Sequence, residues 1–309
     1  MFFDWRRFIS FISLLKLRVM SLAVYTALVG IVLAPGHISL LNGIISIIAI
    51  AIGAGASGAL NMFYDADIDH VMQRTSSRPI PMGKVFKGEA LIFGVALAIF
   101  SVMIMGFAIN WVAAKLIFLS IFVYIVIYTI YLKRLTPQNI VIGGIAGAIP
   151  PMIGWSSVTG SISLEPFIMF LIIFFWTPPH FWSLALLCKD DYAAANIPML
   201  PNVKTDKMTK IYILIYTILT AIFGLFPTVL GFASIIYGII AFFLGSNFIL
   251  YALRTAFFCK EDQSTGFIKK LFLFSIVYLF SLFSVLMFDC VIDVKSLEKY
   301  IFSYYSFVL

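Results

Sequence analysis

The feature that most constrains this chain is its punctuation: apolar runs of about twenty residues, each closed by a short cluster of charges or turn residues, from Leu17 almost to the C-terminus. A helix needs about 20 predominantly apolar residues to cross a hydrocarbon core roughly 30 Å thick. Runs near 19–34, 42–66, 89–108, 112–132, 137–158, 165–187, 210–230, 234–254 and 269–289 come close to that length or exceed it. One soluble core cannot take them instead. Of 309 residues 62% are hydrophobic, and only 21 Lys or Arg and 14 Asp or Glu are present, less than half the charge of an average soluble domain. The apolar side chains exceed what one core of this size encloses. The chain therefore reads as all-α, a polytopic membrane protein of about nine transmembrane helices forming a single membrane domain over 1–309. Disordered, disulfide-scaffold and nucleic-acid-binding classes are excluded. Cys188, Cys259 and Cys290 lack CxxC or metal-ligand spacing and read as passive.

Residues 1–18 alternate bulky apolar with basic residues and show no small-residue cleavage site, so they read as an interfacial helix leading into the first span. Orientation follows from the connections. Basic residues gather in alternate ones: Arg6 to Arg18, Arg74 to Lys87, Lys133 and Arg134, Lys189 to Lys210, and Arg254 to Lys270 hold 18 of the 21. By the positive-inside rule those connections are cytoplasmic, which puts the N-terminus inside and the C-terminus outside.

The second span ends in GALNMFYDADIDHVMQRTSSRPIPMGK, where Asn61, Asp65 and Asp69 recur every fourth residue and share one helix face. Carboxylates at a helix C-terminus oppose the macrodipole and repel one another, so something cationic must compensate them. A hard divalent ion fits: Mg²⁺ takes oxygen ligands and needs one or two carboxylates when substrate phosphates supply the rest. Arg74 and Arg78 follow at once, with planar guanidiniums suited to forking onto phosphate. The plainer alternative is a solvated loop whose acids pair with its arginines. Asp67 points off the stripe.

The sixth span has the same direction and ends in FFWTPPHFWSLALLCKDDYAAANIPMLPNVK, delivering Asp190 and Asp191 to the same surface. Lys189 and Tyr192 flank them and are candidates to bind phosphate or orient a ligand; an ordinary charged turn is the alternative. A parallel repeat of spans one to four and five to eight, with the ninth appended, would set the two clusters across a common cavity. His180 follows Pro178 and Pro179, about two turns inside the span. Ionisable groups at membrane depth are costly and face a cavity or partner, and the proline pair removes backbone donors and should bend or open the helix. A structural histidine, an iron ligand and a general base all remain readings of it. His37 and His70 read as incidental. GGIAGAIPPMIGW in span five supplies small residues for close helix approach.

The segment NMFYDADIDHVMQRTSSRPIP resembles the first Asp-rich motif of the UbiA-type intramembrane prenyltransferases, and RTxxRP, WTPPHFW and DDYAAANIPMLP are similar to the branch that farnesylates heme. The resemblance covers essentially the whole chain. One departure is Leu17, where the family usually has proline. The resemblance implies transfer of a farnesyl group from farnesyl diphosphate to a vinyl group of protoheme IX, with water, in heme O and heme A biosynthesis. It implies one Mg²⁺ on Asn61, Asp65 and Asp69 and a second on Asp191 with Asp190. Diphosphate would meet Arg74, Arg78 and Lys189, with Lys16, Arg18, Lys133 and Arg134 as further candidates, and His180 would face the porphyrin. It further implies a bacterial inner membrane location with the site on the cytoplasmic side, membrane lipids as surroundings, and a heme A synthase or terminal oxidase as the downstream partner. The rivals are a UbiA-type enzyme prenylating an aromatic or quinone precursor and, from another class, a secondary transporter, which usually places its charges near midplane.

Overall fold

The computed structural model describes residues 5–257 and 264–294; Cys259, Lys260, Lys295 and Lys299 lie outside them. The chain runs through α1 (Trp5–Leu14), α2 (Leu17–Leu33), α3 (Leu40–Tyr64), α4 (Ala66–Val71), α5 (Lys87–Ala108) and α6 (Trp111–Phe122), which continues as a π-helical segment, Val123–Leu132. Next come α7 (Lys133–Leu135), α8 (Asn139–Ala148), α9 (Pro150–Thr159), α10 (Leu164–Leu187), α11 (Lys189–Ala194) and α12 (Leu200–Val203). Three long helices finish the described chain: α13 (Asp206–Val229), α14 (Ile235–Phe257) and α15 (Ser264–Val291).

Every predicted span is helical. Among the described residues eight helical segments are long and apolar enough to cross a membrane, and α2 reaches that length only with α1, from which it bends by 54°. The largest boundary differences are at α13 and α15, which begin four and five residues early because helices carry polar first turns. Thr205 caps α13 by accepting from the Met208 N–H at 3.2 Å. α10 stays helical through Pro178 and Pro179, against the expected opening. Two prolines delete only two ladder bonds, and the Thr177 and Ser183 hydroxyls, donating to the Ile173 and Pro179 carbonyls at 2.8 and 2.6 Å, brace the turns around them.

The helices form two compact units: the chain up to Ile162 with Cys188–Lys204, and Ser163–Leu187 with the chain from Thr205 onward. The division falls after the fifth span, not after the fourth as a four-helix repeat predicts. The reason lies in α2 and α9, which pack together. A Cβ on Gly154 would stand 1.9 Å from the Ala27 carbonyl oxygen, and one on Gly30 would stand 2.2 Å from that of Pro151. Only two glycines allow backbones this close, and they tie span five to span one.

The break between α1 and α2 is seated in the same way. A Cβ on Gly58 would lie 3.0 and 3.1 Å from the Leu14 and Leu15 carbonyl oxygens, so the chain end of α1 rests directly on α3. Leu14 packs there with Ala59, Met62, Val85 and Ala90. Lys16 then turns the chain with a left-handed backbone, φ 52°. Leu17 stands at the first helical position of α2, where proline is also tolerated, so its departure from the family pattern leaves the helix start intact.

Candidate active site

α3 ends at Tyr64 and α4 starts at Ala66, yet the amide ladder crosses the junction: the Asp65 N–H donates to the Asn61 carbonyl at 2.9 Å and the Asp69 N–H to that of Asp65 at 2.8 Å. The four-residue repeat therefore holds, and Asn61, Asp65 and Asp69 are 3%, 0% and 2% exposed. Each carboxylate meets a cation. Lys133 Nζ bonds Asp65 Oδ2. Arg78 Nη1 donates to both Asp69 oxygens, at 2.7 and 2.6 Å. The off-stripe Asp67 is more than half exposed and takes a fork from Arg134, two bonds of 2.8 Å. Those bonds hold its carboxyl down to about 2. The solvated-loop reading thus fits Asp67 and Arg134. It fails for Asp65 and Asp69, since a buried pair carries a desolvation cost that its attraction need not repay.

The partners come from distant elements. The ten-residue π-helical segment brings Thr129 to the acid face, and α7, directly after it, brings Lys133; π-helices are mostly single turns, frequently at functional sites. The Thr129 hydroxyl donates to the Tyr124 carbonyl at 2.8 Å, so it accepts from Asn61 Nδ2 at 3.0 Å. The other Nδ2 proton goes to Asp65 Oδ2 at 2.8 Å. The amide is thereby oriented with Oδ1 toward Lys16 Nζ. Lys16 sits at the turn between α1 and α2. With Arg78 and Lys133 it makes three cations gathered at the acid face, an arrangement that favours an anion.

The second acidic segment joins this cluster. Asp191 accepts from the Gln73 and Arg74 backbone N–H groups at 3.3 and 3.2 Å, so it holds the loop that carries the arginines. Tyr192 is buried and its phenol is pushed up by burial, an effect offset in part by Arg74 beside it. The Lys189 carbonyl accepts from Asn202 Nδ2 at 3.1 Å. Asp190 is exposed and outside this network.

Asp65 Oδ1 is buried and accepts no hydrogen bond, although Arg134 Nη2 stands 3.9 Å away. An orphaned carboxylate oxygen beside Asn61 and Asp69 is a hard-ligand set that fits Mg²⁺. No three His, Cys, Asp or Glu side chains among the described residues form a self-sufficient metal cage, so an ion here would need ligands from outside the chain as well.

His180 belongs to the other unit. Its ring stacks between Trp176 and Phe272, centroids 4.4 and 4.7 Å away, and Nδ1 is 2.8 Å from Ser275 Oγ. The Ser275 hydroxyl proton is already committed to the Phe272 carbonyl at 2.6 Å. Ser275 therefore accepts, His180 carries its proton on Nδ1, and Nε2 presents a lone pair. Trp176 Nε1 fixes the same turn by donating to the Ser275 carbonyl at 2.7 Å.

Sequence reasoning gave no role to Thr129, Ser275, Trp176 or Phe272. The four-residue spacing of Thr129 and Lys133 was the available signal for the first, and the WTPPHFW motif, which Trp176 opens, for the third; Ser275 and Phe272 are apolar-span residues without any.

The UbiA prenyltransferase family profile matches residues 23–293. A protoheme IX farnesyltransferase of Sinorhizobium fredii is 57% identical over 282 residues, covering 91% of this chain and 89% of that protein. Among solved structures, a digeranylgeranylglyceryl phosphate synthase aligns with a TM-score of 0.76 at 16% identity, covering 92% of this chain and 98% of the other. A UbiA homolog from Archaeoglobus fulgidus bound to GPP and Mg²⁺ aligns with a TM-score of 0.60 at 15% identity, over 89% of this chain and all of the other.

Proposed function

Because this chain belongs to the UbiA prenyltransferase family, we propose that the cluster around Asp65 and Asp69 binds a prenyl diphosphate and that the reaction is farnesyl transfer from farnesyl diphosphate to a vinyl group of protoheme IX. Water adds to complete the group, and the products are heme O and diphosphate. The convergence of Lys16, Arg78 and Lys133 on two buried carboxylates, one with an orphaned oxygen, carries the donor half of this reading. The protoheme IX farnesyltransferase relative supports the acceptor half.

Ionisation breaks the farnesyl C1–O bond, and the electron pair leaves with diphosphate. Bound Mg²⁺ would neutralise charge developing on the leaving group. Asn61, Asp65 and Asp69 would hold that ion, with Asp191 and Asp190 proposed for a second. Arg74, Arg78 and Lys189 would hold phosphate oxygens, and Tyr192 would orient Arg74. The vinyl π electrons then bond to C1; the cation left beside the macrocycle takes up water, which loses a proton. His180 is assigned to the porphyrin, either through its Nε2 lone pair on iron or as acceptor of that proton. The basic connections support a cytoplasmic N-terminus and site in a bacterial inner membrane, with a heme A synthase or terminal oxidase receiving the product.

Mass spectrometry of hemes extracted from cells lacking heme O, after expression of this chain, tests the function. A farnesylated, hydroxylated heme is expected; a prenylated aromatic acid or quinone precursor without it would sink the acceptor reading.

Two residue-level expectations follow from this site. Arg74→Lys and Arg78→Lys keep charge but lose the planar fork, so each should raise the KM for farnesyl diphosphate about tenfold, and protoheme binding should stay put in Arg74→Lys. Free substitution at both positions would mean that only a diffuse positive field is needed. His180→Ala should abolish heme O formation, and Ser275→Ala, which frees the tautomer, should lower turnover about 10- to 100-fold, the usual scale for a group that orients a functional histidine. Ser275→Thr should restore it. Weakened heme binding with an altered Soret band in His180→Ala marks the ligand role, and retained binding with a shifted pH profile marks the base; normal turnover would leave His180 structural.

A further inference from the structure

A cavity of about 510 Å³ lies between α1, the start of α2 and the acid-bearing end of α3, and the diphosphate reading touches it only at its Lys16 and Arg78 edge. Its walls are apolar on the α1 and α3 sides, with Phe8, Ile12 and Met62, and basic where the chain turns, with Lys16, Arg18 and Arg78. No carboxylate lines it. The three cations differ in what they have left to give. Lys16 spends one of its three N–H donors on Asn61. Arg78 binds Asp69 through Nη1 alone. Arg18 is exposed and makes no ion pair among the described residues.

An apolar groove with surplus positive charge at one end complements an amphiphile that carries its negative charges on one edge. Protoheme is such a molecule: its two propionates lie on one edge of a flat apolar macrocycle and its two vinyl groups on the opposite edge. We propose that this groove is the seat of the acceptor, with the propionates held by Arg18 and the free donors of Lys16 and Arg78 and the macrocycle edge against Phe8, Ile12 and Met62. The proposal rests on protoheme IX being the acceptor. It gives the chain a way to set the acceptor against the donor site, because Lys16 and Arg78 reach the groove from one side and the Asn61 and Asp69 side chains from the other. Arg18, a further diphosphate candidate by resemblance, makes no ion pair with the acid cluster among the described residues and is assigned here to the groove instead.

The test uses the full chain in phosphatidylcholine nanodiscs with two acceptors, protoheme IX and its dimethyl ester, which lacks the carboxylates. For the unaltered protein the ester should show a KM about tenfold above that of the diacid. Arg18→Gln should raise the KM for the diacid about five- to tenfold, leave that for the ester in place and so bring the ratio near 1. Arg18→Lys should keep most of the discrimination. The KM for farnesyl diphosphate should move less than twofold. Since Arg18 is exposed and makes no ion pair among the described residues, folding is not at stake, and a size-exclusion profile verifies it. An unchanged ratio, or an equal rise for both acceptors, overturns the proposal, as does a rise confined to farnesyl diphosphate. If the Arg18→Gln effect appears only after phosphatidylglycerol is added, the groove holds a lipid headgroup, and the proposal falls. Absence of farnesylated product from either porphyrin with the unaltered protein is a different failure: it removes protoheme as acceptor, and this seat with it.

Discussion

Asp65→Asn is expected to lower farnesyl transfer about 10³-fold, the scale of the several kcal/mol that a metal supplies at a developing charge. Asp69→Asn should follow it closely. The complication is stability, because each change strands a cation. Lys133 is paired with an Asp65 that is fully buried, and removing one partner of a buried pair costs about 3–5 kcal/mol. The double variant Asp65→Asn with Lys133→Met separates the effects: it should regain the thermal midpoint and remain inactive. Mg²⁺ titration of a nonhydrolysable farnesyl thiodiphosphate binding assay gives a second readout, in which the metal dependence of binding should flatten. Turnover near that of the unaltered protein in both single variants would take these carboxylates out of the mechanism.

Gly154→Val is expected to remove the folded protein altogether. The added Cβ would stand 1.9 Å from the Ala27 oxygen and 2.8 Å from its carbon. Both atoms are backbone, so no rotamer relieves the clash and the helices must part. Ordinary overpacking costs about 1–3 kcal/mol, and this change should exceed about 3 kcal/mol, read as loss of the monodisperse peak after detergent extraction. Gly147→Ala is the control: nothing lies within 4 Å of its added Cβ, so extraction and thermal midpoint should stay unchanged. A well-behaved Gly154→Val protein would mean that α2 and α9 do not approach as described.

What was legible in the sequence was what depends on length and period. Bilayer thickness fixes the spans, so their helices could be read off directly, and the helical repeat of Asn61, Asp65 and Asp69 put them on one face in advance. The partners of that face were not legible, because Lys16 and Lys133 come from 45 and 68 residues away in sequence, and no local pattern encodes such a meeting. VYIVIYTIYL reads as one more apolar helix, and its π-helical course is set by surroundings, not by composition. Asp191 was read as a ligand for metal; its carboxylate also holds the Gln73 and Arg74 amides, a backbone role that side-chain chemistry cannot announce. The pairing of span five with span one was not legible either, because two glycines 124 residues apart carry it.

The close approach of α2 and α9, Gly30 on Pro151 and Gly154 on Ala27, also has a consequence for biogenesis. Ribosomes add about 5–20 residues per second, so the 124 residues between those glycines take roughly 6–25 s to emerge. Throughout that interval α2 is already in the bilayer with the groove around Gly30 facing lipid instead of its native neighbour. Nascent chains halted before Thr159 lack a complete α9 and present that groove permanently. They are the natural clients of the insertase and of membrane quality-control proteases, whereas a chain that has passed this point can close the first unit's central helix pair.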